Sequence, residues 1–281
     1  MVKVFLAVPM AFLLILIGFP VLYNVLMSFQ DVTLSTLPQF MRPWIGLENY
    51  TTLLEESVTY EILANTFIFV GGNVVFQIAI GLSLALFFEM RFPGSRFMRG
   101  LFLVGWMLPP LVIGSVWKWL FATESGAINA ILGSNMNWLS DPSTALWAVT
   151  TANIWFGTPF SMILLSAAVS NVPKELIEAA SLDGAGPIKR FVYITLPVIS
   201  ASLLAVVSLT IIYSMRAFDV IWAMTKGGPV DSSTILPLFS YRLSFDEFKF
   251  GGGAAAANFA FIIVFFVALI YVRSVKREKT V

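Results

Sequence analysis

Six stretches of the chain carry no charged residue: 4–30, 62–88, 100–117, 142–173, 191–215 and 250–272. A helix crossing a bilayer core of about 30 Å needs about 20 such residues, and strands never run this long. The third stretch is short but continues through the single Lys118 to Phe121. Buried helices of a large soluble core are the alternative. Charged residues, however, make up only 12% of the 281 positions, against about 25% in soluble domains. The chain therefore reads as an all-α integral membrane protein with six transmembrane helices. One transmembrane domain covers 1–281, with spans at about 4–30, 62–88, 99–121, 143–170, 191–222 and 251–272.

The same composition removes whole classes of function. There is no Cys and no His, so disulfides, thiolate nucleophiles, histidine relays and most zinc sites are closed to it. The net charge of +1 offers no basic excess for nucleic acid. No Walker motif occurs, so the chain does not hydrolyse ATP by itself. The first apolar run continues to Met27 with no small-residue cleavage pattern, and reads as a retained anchor rather than a signal peptide.

Cations orient the spans. With the N-terminus inside, the inner segments hold Lys3, then Arg91, Arg96 and Arg99, then Lys174, Lys189 and Arg190, and finally Arg273, Lys276, Arg277 and Lys279. That is 11 of the 17 Lys and Arg residues. The first outer loop is acidic, with Asp31, Glu48, Glu55, Glu56 and Glu61. Both termini are thus expected in the cytoplasm. The outer loop 31–61 has enough aromatic and apolar content to form a small structured cap, and 235–243 has the character of a segment lying along the membrane surface. Gly251, Gly252 and Gly253, followed by four alanines, suit close helix packing. The polar residues Asn65, Asn73, Gln77 and Asn258 read as interhelical glue.

The inner loop 171–190 carries the most information. Pro173 suits the first turn of a helix, with Asn171 upstream as a cap, and Glu175 and Glu178 favour its positive end. Leu176, Ile177 and Ala180 share one apolar face, and Gly184 supplies a positive-φ stop. A short amphipathic helix results, which either lies on lipid headgroups or docks a cytoplasmic partner.

The spacing Glu178-Ala179-Ala180, Gly184, Ile194 and Leu196-Pro197 resembles the EAA loop of ABC importer permeases. Phe218-Asp219 followed by 225–229, and the run 138–142, resemble the carbohydrate-uptake branch that includes the maltose and glycerol-3-phosphate permeases. That resemblance implies the type I, maltose-permease-like fold in a bacterial inner membrane. It implies a second permease subunit, two ATP-binding subunits that hold ATP and Mg, and an extracytoplasmic binding protein delivering a sugar or sugar derivative. No cofactor would sit in this chain. By resemblance 174–184 is the coupling helix: Glu178 anchors it in an ATPase groove, Ala179 and Ala180 allow close approach, and Gly184 sets its exit, with Leu176, Ile177 and Asp183 beside them.

The resemblance carries sugar contacts over to Phe156, Gly157, Phe160, Thr210, Tyr213, Ser214 and Ala217. Asn153, Trp155, Arg216 and Asp219 are further candidates, and for each the alternative is helix–helix packing. Arg216 and Asp219, spaced i and i+3, are expected to pair on one helical face. Arg216 or Lys118 would otherwise attract an anionic solute. A secondary ion-coupled transporter or channel is the rival function, but it calls for coupling carboxylates or an inverted repeat inside the spans.

Overall fold

Peptide groups in hydrocarbon must be bonded within their own segment, and a helix does this residue by residue. The computed structural model describes residues 2–39, 42–90 and 92–278. Arg91 and Lys279 lie outside the described residues, as do the side chains of Lys3, Arg273, Lys276 and Arg277. Among the described residues the chain is helical throughout its regular structure, with two isolated bridges, Gln30 with Trp44 and Thr33 with Lys249.

In chain order the helices are α1 (2–27, with a π-helical turn at Leu14–Gly18), α2 (Glu48–Glu55), α3 (Ser57–Glu89), α4 (Ser95–Met107), α5 (Pro110–Leu120), α6 (Ala127–Leu132) and α7 (Pro142–Ser170). Then follow α8 (Lys174–Leu182), α9 (Pro187–Val198), α10 (Ser200–Ser214), α11 (Asp219–Met224), α12 (Leu236–Tyr241) and α13 (Phe250–Glu278). Four helical segments, Ala7–Met27, Ser57–Glu89, Pro142–Ser170 and Phe250–Val272, are long and apolar enough to cross a membrane. Two bent pairs bring the number to six if each pair is one span.

Those two pairs are bent within stretches expected as single spans. The third stretch bends by 98° between α4 and α5. Leu108 and Pro109 are extended there (ψ 146° and 136°) because a residue preceding proline is driven out of the helical region. The fifth bends by 73° between α9 and α10, two residues beyond Pro197, whose ring cannot donate to the preceding turn. Nor does the fifth run on as one helix to 222: α10 stops at Ser214 and α11 starts afresh at Asp219.

The chain divides into two units, Met1–Ala64 with Thr234–Ile263, and Asn65–Ser233 with Val264–Val281. In the first, a polar knot ties α1 and α2 to α13. Asn258 Nδ2 donates to Ser28 Oγ at 3.0 Å and to Tyr50 Oη at 2.8 Å, while Asn24 Nδ2 donates to Asn258 Oδ1 at 3.0 Å. Asn49 Nδ2 donates to the carbonyls of Ser28 and Gln30. Gly251 lets this loop approach, since a Cβ there would stand 2.5 Å from the Gln30 carbonyl oxygen. In the segment 235–243, Ile235, Leu236, Leu238, Phe239 and Leu243 are buried, which satisfies their apolar side chains inside the unit.

Removing Asn258 leaves several polar groups without their hub. Asn258→Leu is expected to cost about 1–3 kcal/mol, the scale of an unsatisfied buried group. It should read as a lowered melting temperature of the solubilised protein, and an unchanged one would show that the knot adds no stability.

In the second unit α7 is the hub, packed by α4, α5, α10 and α11. Its helix starts cleanly: Asp141 accepts from Ser143 Oγ (2.7 Å) and the Ser143 backbone N–H (2.8 Å), and Pro142 fills the first turn. These bonds hold the Asp141 carboxyl below the usual carboxylate range. Leu165 packs against Ala85 and Val206, and Ala168 and Val169 against Ile199. Gly114 of α5 crosses α11 so closely that a Cβ would stand 2.6 Å from that of Ala223.

Candidate functional site

The break between α10 and α11 opens a cavity of about 280 Å³ against α7 and the bent α4–α5 pair. Phe156, Gly157 and Phe160 line it from α7, and Thr210, Tyr213, Ser214 and Ala217 from the other wall. Asn153, Arg216 and Asp219 line it too. Trp155 does not: it lines a separate apolar groove with Gly105 and Trp117, and its ring lies 6.0 Å from that of Trp117. One helical residue away from Phe156, it points along a different side of α7.

Three aromatic rings form one wall. Trp106 stacks on Phe160 at 5.4 Å and 23°, and Phe160 meets Tyr213 edge-on at 5.2 Å and 77°. Trp106 and Tyr213 are 42% and 54% exposed, so aromatic surface remains for a solute. Opposite chemistry comes from a buried amide network. Gln77 Nε2 donates to Asn73 Oδ1 at 2.8 Å and to the Asn153 carbonyl at 3.1 Å, and Asn153 Nδ2 donates to Asn73 Oδ1 at 2.7 Å. Thr210 turns its hydroxyl proton back to the Val206 carbonyl, which leaves its oxygen as an acceptor.

The expected pairing of Arg216 with Asp219 does not form. No salt bridge joins them, because residues 215–218 interrupt the helix and the i, i+3 register is lost. Both side chains are exposed at the cavity. Lys118 sits in the last turn of α5 and does not line it. Gln77, Trp106, Pro110 and Val220 line the cavity and were not among the expected contacts. For Gln77 a signal existed: with Asn73 at i and i+4, it places two amides on one face of a span.

The inner-loop helix forms as α8, and its ends differ from expectation. Asn171 closes α7 instead of capping α8, and Pro173 is the N-cap residue with no side-chain bond. At the other end Gly184 has φ +78°, and Ala185 N–H reaches the Ala180 carbonyl at 2.9 Å. Arg190 Nη1 donates to Ser181 Oγ at 2.6 Å, tying the first turn of α9 to α8. Lys174, Ile177 and Glu178 share a face that lines a second cavity of about 540 Å³ behind α8. Ala180 is half-buried, whereas Leu176, Ala179, Leu182 and Asp183 are exposed. Leu176 therefore leaves the apolar face assigned to it, and Leu182, 90% exposed, leads the opposite one.

Residues 77–280 match the family described as binding-protein-dependent transport system inner membrane component. The chain is 30% identical to the diacetylchitobiose uptake system permease protein of Streptomyces coelicolor, covering 94% of this chain and 83% of that one. It is 32% identical to the trehalose/maltose transport system permease protein of Thermococcus litoralis (87% and 82% covered). It is 31% identical to the sulfoquinovosyl glycerol transport system permease protein of Agrobacterium fabrum (99% and 91%). Among solved structures, a chain of a bacterial ABC transporter that imports the acidic polysaccharide alginate shares the fold, with a TM-score of 0.81 at 20% identity over 97% of this chain and 95% of that one.

Proposed function

The chain belongs to the binding-protein-dependent transport system inner membrane component family, and from that membership we propose that it forms half of the pathway of an ATP-driven sugar importer. The observation that carries the sugar reading is the cavity between α7 and α10, where aromatic faces stand beside amide and hydroxyl groups. Sugar C–H faces stack on such rings while their hydroxyls exchange hydrogen bonds with such groups. The names of the relatives, which take up diacetylchitobiose, trehalose or maltose, and sulfoquinovosyl glycerol, support the same class.

In this reading the cation-rich segments face the cytoplasm, a second permease completes the pathway, and a binding protein delivers solute from the other side. Two ATPase subunits hold ATP and Mg. The exposed face of α8, with Leu182 and Ala179, seats in a groove of one of them. ATP-driven closure of the ATPase pair then moves α8 and switches the pathway between two states, biased by nucleotide on one side and loaded binding protein on the other.

Affinity purification of the tagged chain from its own membrane tests this. An ATP-binding protein should co-purify, and do so less well with Leu182→Asp. Absence of any ATP-binding partner would reject the reading. Within the cavity, Trp106→Ala removes the ring that faces Phe160. It should slow sugar uptake about two- to tenfold, given the ~0.5–1.5 kcal/mol of an aromatic pairing, while stimulation of ATP hydrolysis by loaded binding protein persists. Uptake at the original rate would remove Trp106 from the sugar path.

A further inference from the structure

Two backbone carbonyls decide which way the amides beside the α7–α10 cavity point. A main-chain carbonyl only accepts, so the side-chain atom facing it must be an N–H donor. Asn73 Nδ2 faces the Phe69 carbonyl at 2.7 Å, which turns Asn73 Oδ1 the other way. Gln77 Nε2 faces the Asn153 carbonyl at 3.1 Å and gives its second N–H to Asn73 Oδ1 at 2.8 Å. Asn153 Nδ2 brings a further N–H to that same oxygen at 2.7 Å. Gln77 has therefore spent both of its donors. Turning any of the three amides over would set oxygen against oxygen.

What remains for a solute is acceptors. Among the described residues, Gln77 Oε1 and Asn153 Oδ1 accept no hydrogen bond, and both residues line the cavity. Both residues are otherwise buried. Neither oxygen is sealed off from open space, unlike the hydroxyls of Ser161 and Ser166 farther along α7. Gln77 Oε1 stands over Gly157, where a Cβ would collide with it, so the bare glycine leaves that oxygen uncovered. Thr210 Oγ1 adds a third acceptor, since its proton is held by the Val206 carbonyl.

Such a wall sorts solutes by what they donate. We propose that Gln77 is a specificity-determining residue of the pathway, its Oε1 accepting a hydrogen bond from one free hydroxyl of the sugar. The proposal rests on the sugar reading of the cavity and adds which feature of a sugar is read. The oxygen is held in place before any solute arrives, so its use costs no reordering. A solute without a donor at that position leaves a buried acceptor unmet. Phosphate, sulfonate and carboxylate groups would set lone pairs against lone pairs there. In an acidic sugar derivative that group has to face Arg216, elsewhere on the cavity wall.

The test is ATP-dependent uptake by the intact transporter in vesicles, with trehalose, maltose and diacetylchitobiose as probes. Each is supplied as the parent sugar and with single hydroxyls replaced by hydrogen or by fluorine, which cannot donate. The same binding protein serves every measurement, so its own preferences cancel between variants. At one hydroxyl of a transported probe the wild type should lose at least about tenfold to both replacements. In Gln77→Met that ratio of parent to analogue should fall about tenfold. A merely structural Gln77 would slow parent and analogue alike and leave the ratio standing. Gln77→Asn keeps an amide but withdraws it by one methylene, and should lower the same ratio if the methionine variant does not reach the membrane. A ratio unchanged in whichever variant reaches the membrane, or a wild type that accepts fluorine in place of every hydroxyl, would overturn the proposal. Uptake of none of the probes by the wild type would instead contradict the sugar reading on which it rests.

Discussion

Gly157→Val is expected to abolish transport. A Cβ at this position would overlap the side-chain amide of Gln77. That amide is held by Asn73 and by the Asn153 carbonyl, bonds it must break to move aside. Gln77, Asn73 and Asn153 are 5%, 0% and 7% exposed. Displacing the amide strands buried donors and acceptors at about 1–3 kcal/mol each. It also pushes the side chain into the cavity that Gly157 itself lines. Together these should lower uptake by about a hundredfold or more, the rate equivalent of ~3 kcal/mol. Gly157→Ala should fall between the two. Because such a variant could simply misfold, the informative measurement is a double-mutant cycle. Gln77→Ala shortens the group that clashes, so adding it to Gly157→Ala should recover melting temperature. If the two substitutions are additive, the clash is not the cause.

Gly184→Val is expected to uncouple uptake from ATP hydrolysis while the chain still inserts. Gly184 has φ +78° and nothing within 4 Å of where a Cβ would stand. The penalty is thus purely conformational, about 1–3 kcal/mol for a β-branched residue in the left-handed region. The helix relieves it by changing how the chain leaves α8, which breaks the bond from Ala185 N–H to the Ala180 carbonyl. Gly184→Asn separates strain from side-chain bulk, since asparagine enters that region readily. The asparagine variant should keep most of its transport, and the valine variant should lose it while insertion, judged by yield in the membrane fraction, is unchanged. Transport by the valine variant at the original rate would show that the exit geometry is irrelevant to coupling.

Local rules made α8 legible. Glu175 at the start and Gly184 at the end follow from backbone sterics and the helix dipole, and both stand where expected. Its facing was not legible, because which side is covered depends on Leu86 and Glu89 at the end of α3, far away in sequence. Hydropathy likewise reveals that 100–121 is apolar, yet says nothing of a 98° bend. The Pro109-Pro110 pair is the one local signal of that break, since each proline drives the residue before it out of the helix. Arg216 and Asp219 show the same limit: their i, i+3 spacing pairs them only within a helix, and the backbone leaves the helix at residues 215–218. Trp106 joins Phe160 only because that bend returns α4 to α7. The small residues at 251–257 are the opposite case: their size itself signals close packing, and a Cβ at Gly251 or Gly253 would clash while Ala254, Ala255 and Ala256 are buried.

This chain should carry a sugar under the control of ATP hydrolysed by another subunit. Uptake of a radiolabelled sugar panel into vesicles holding the chain, its partner permease and the ATPase pair tests it most directly, with binding protein and ATP supplied separately and together. Accumulation of at least one sugar should require both. Accumulation driven by an ion gradient without ATP, or independent of the binding protein, would contradict the account.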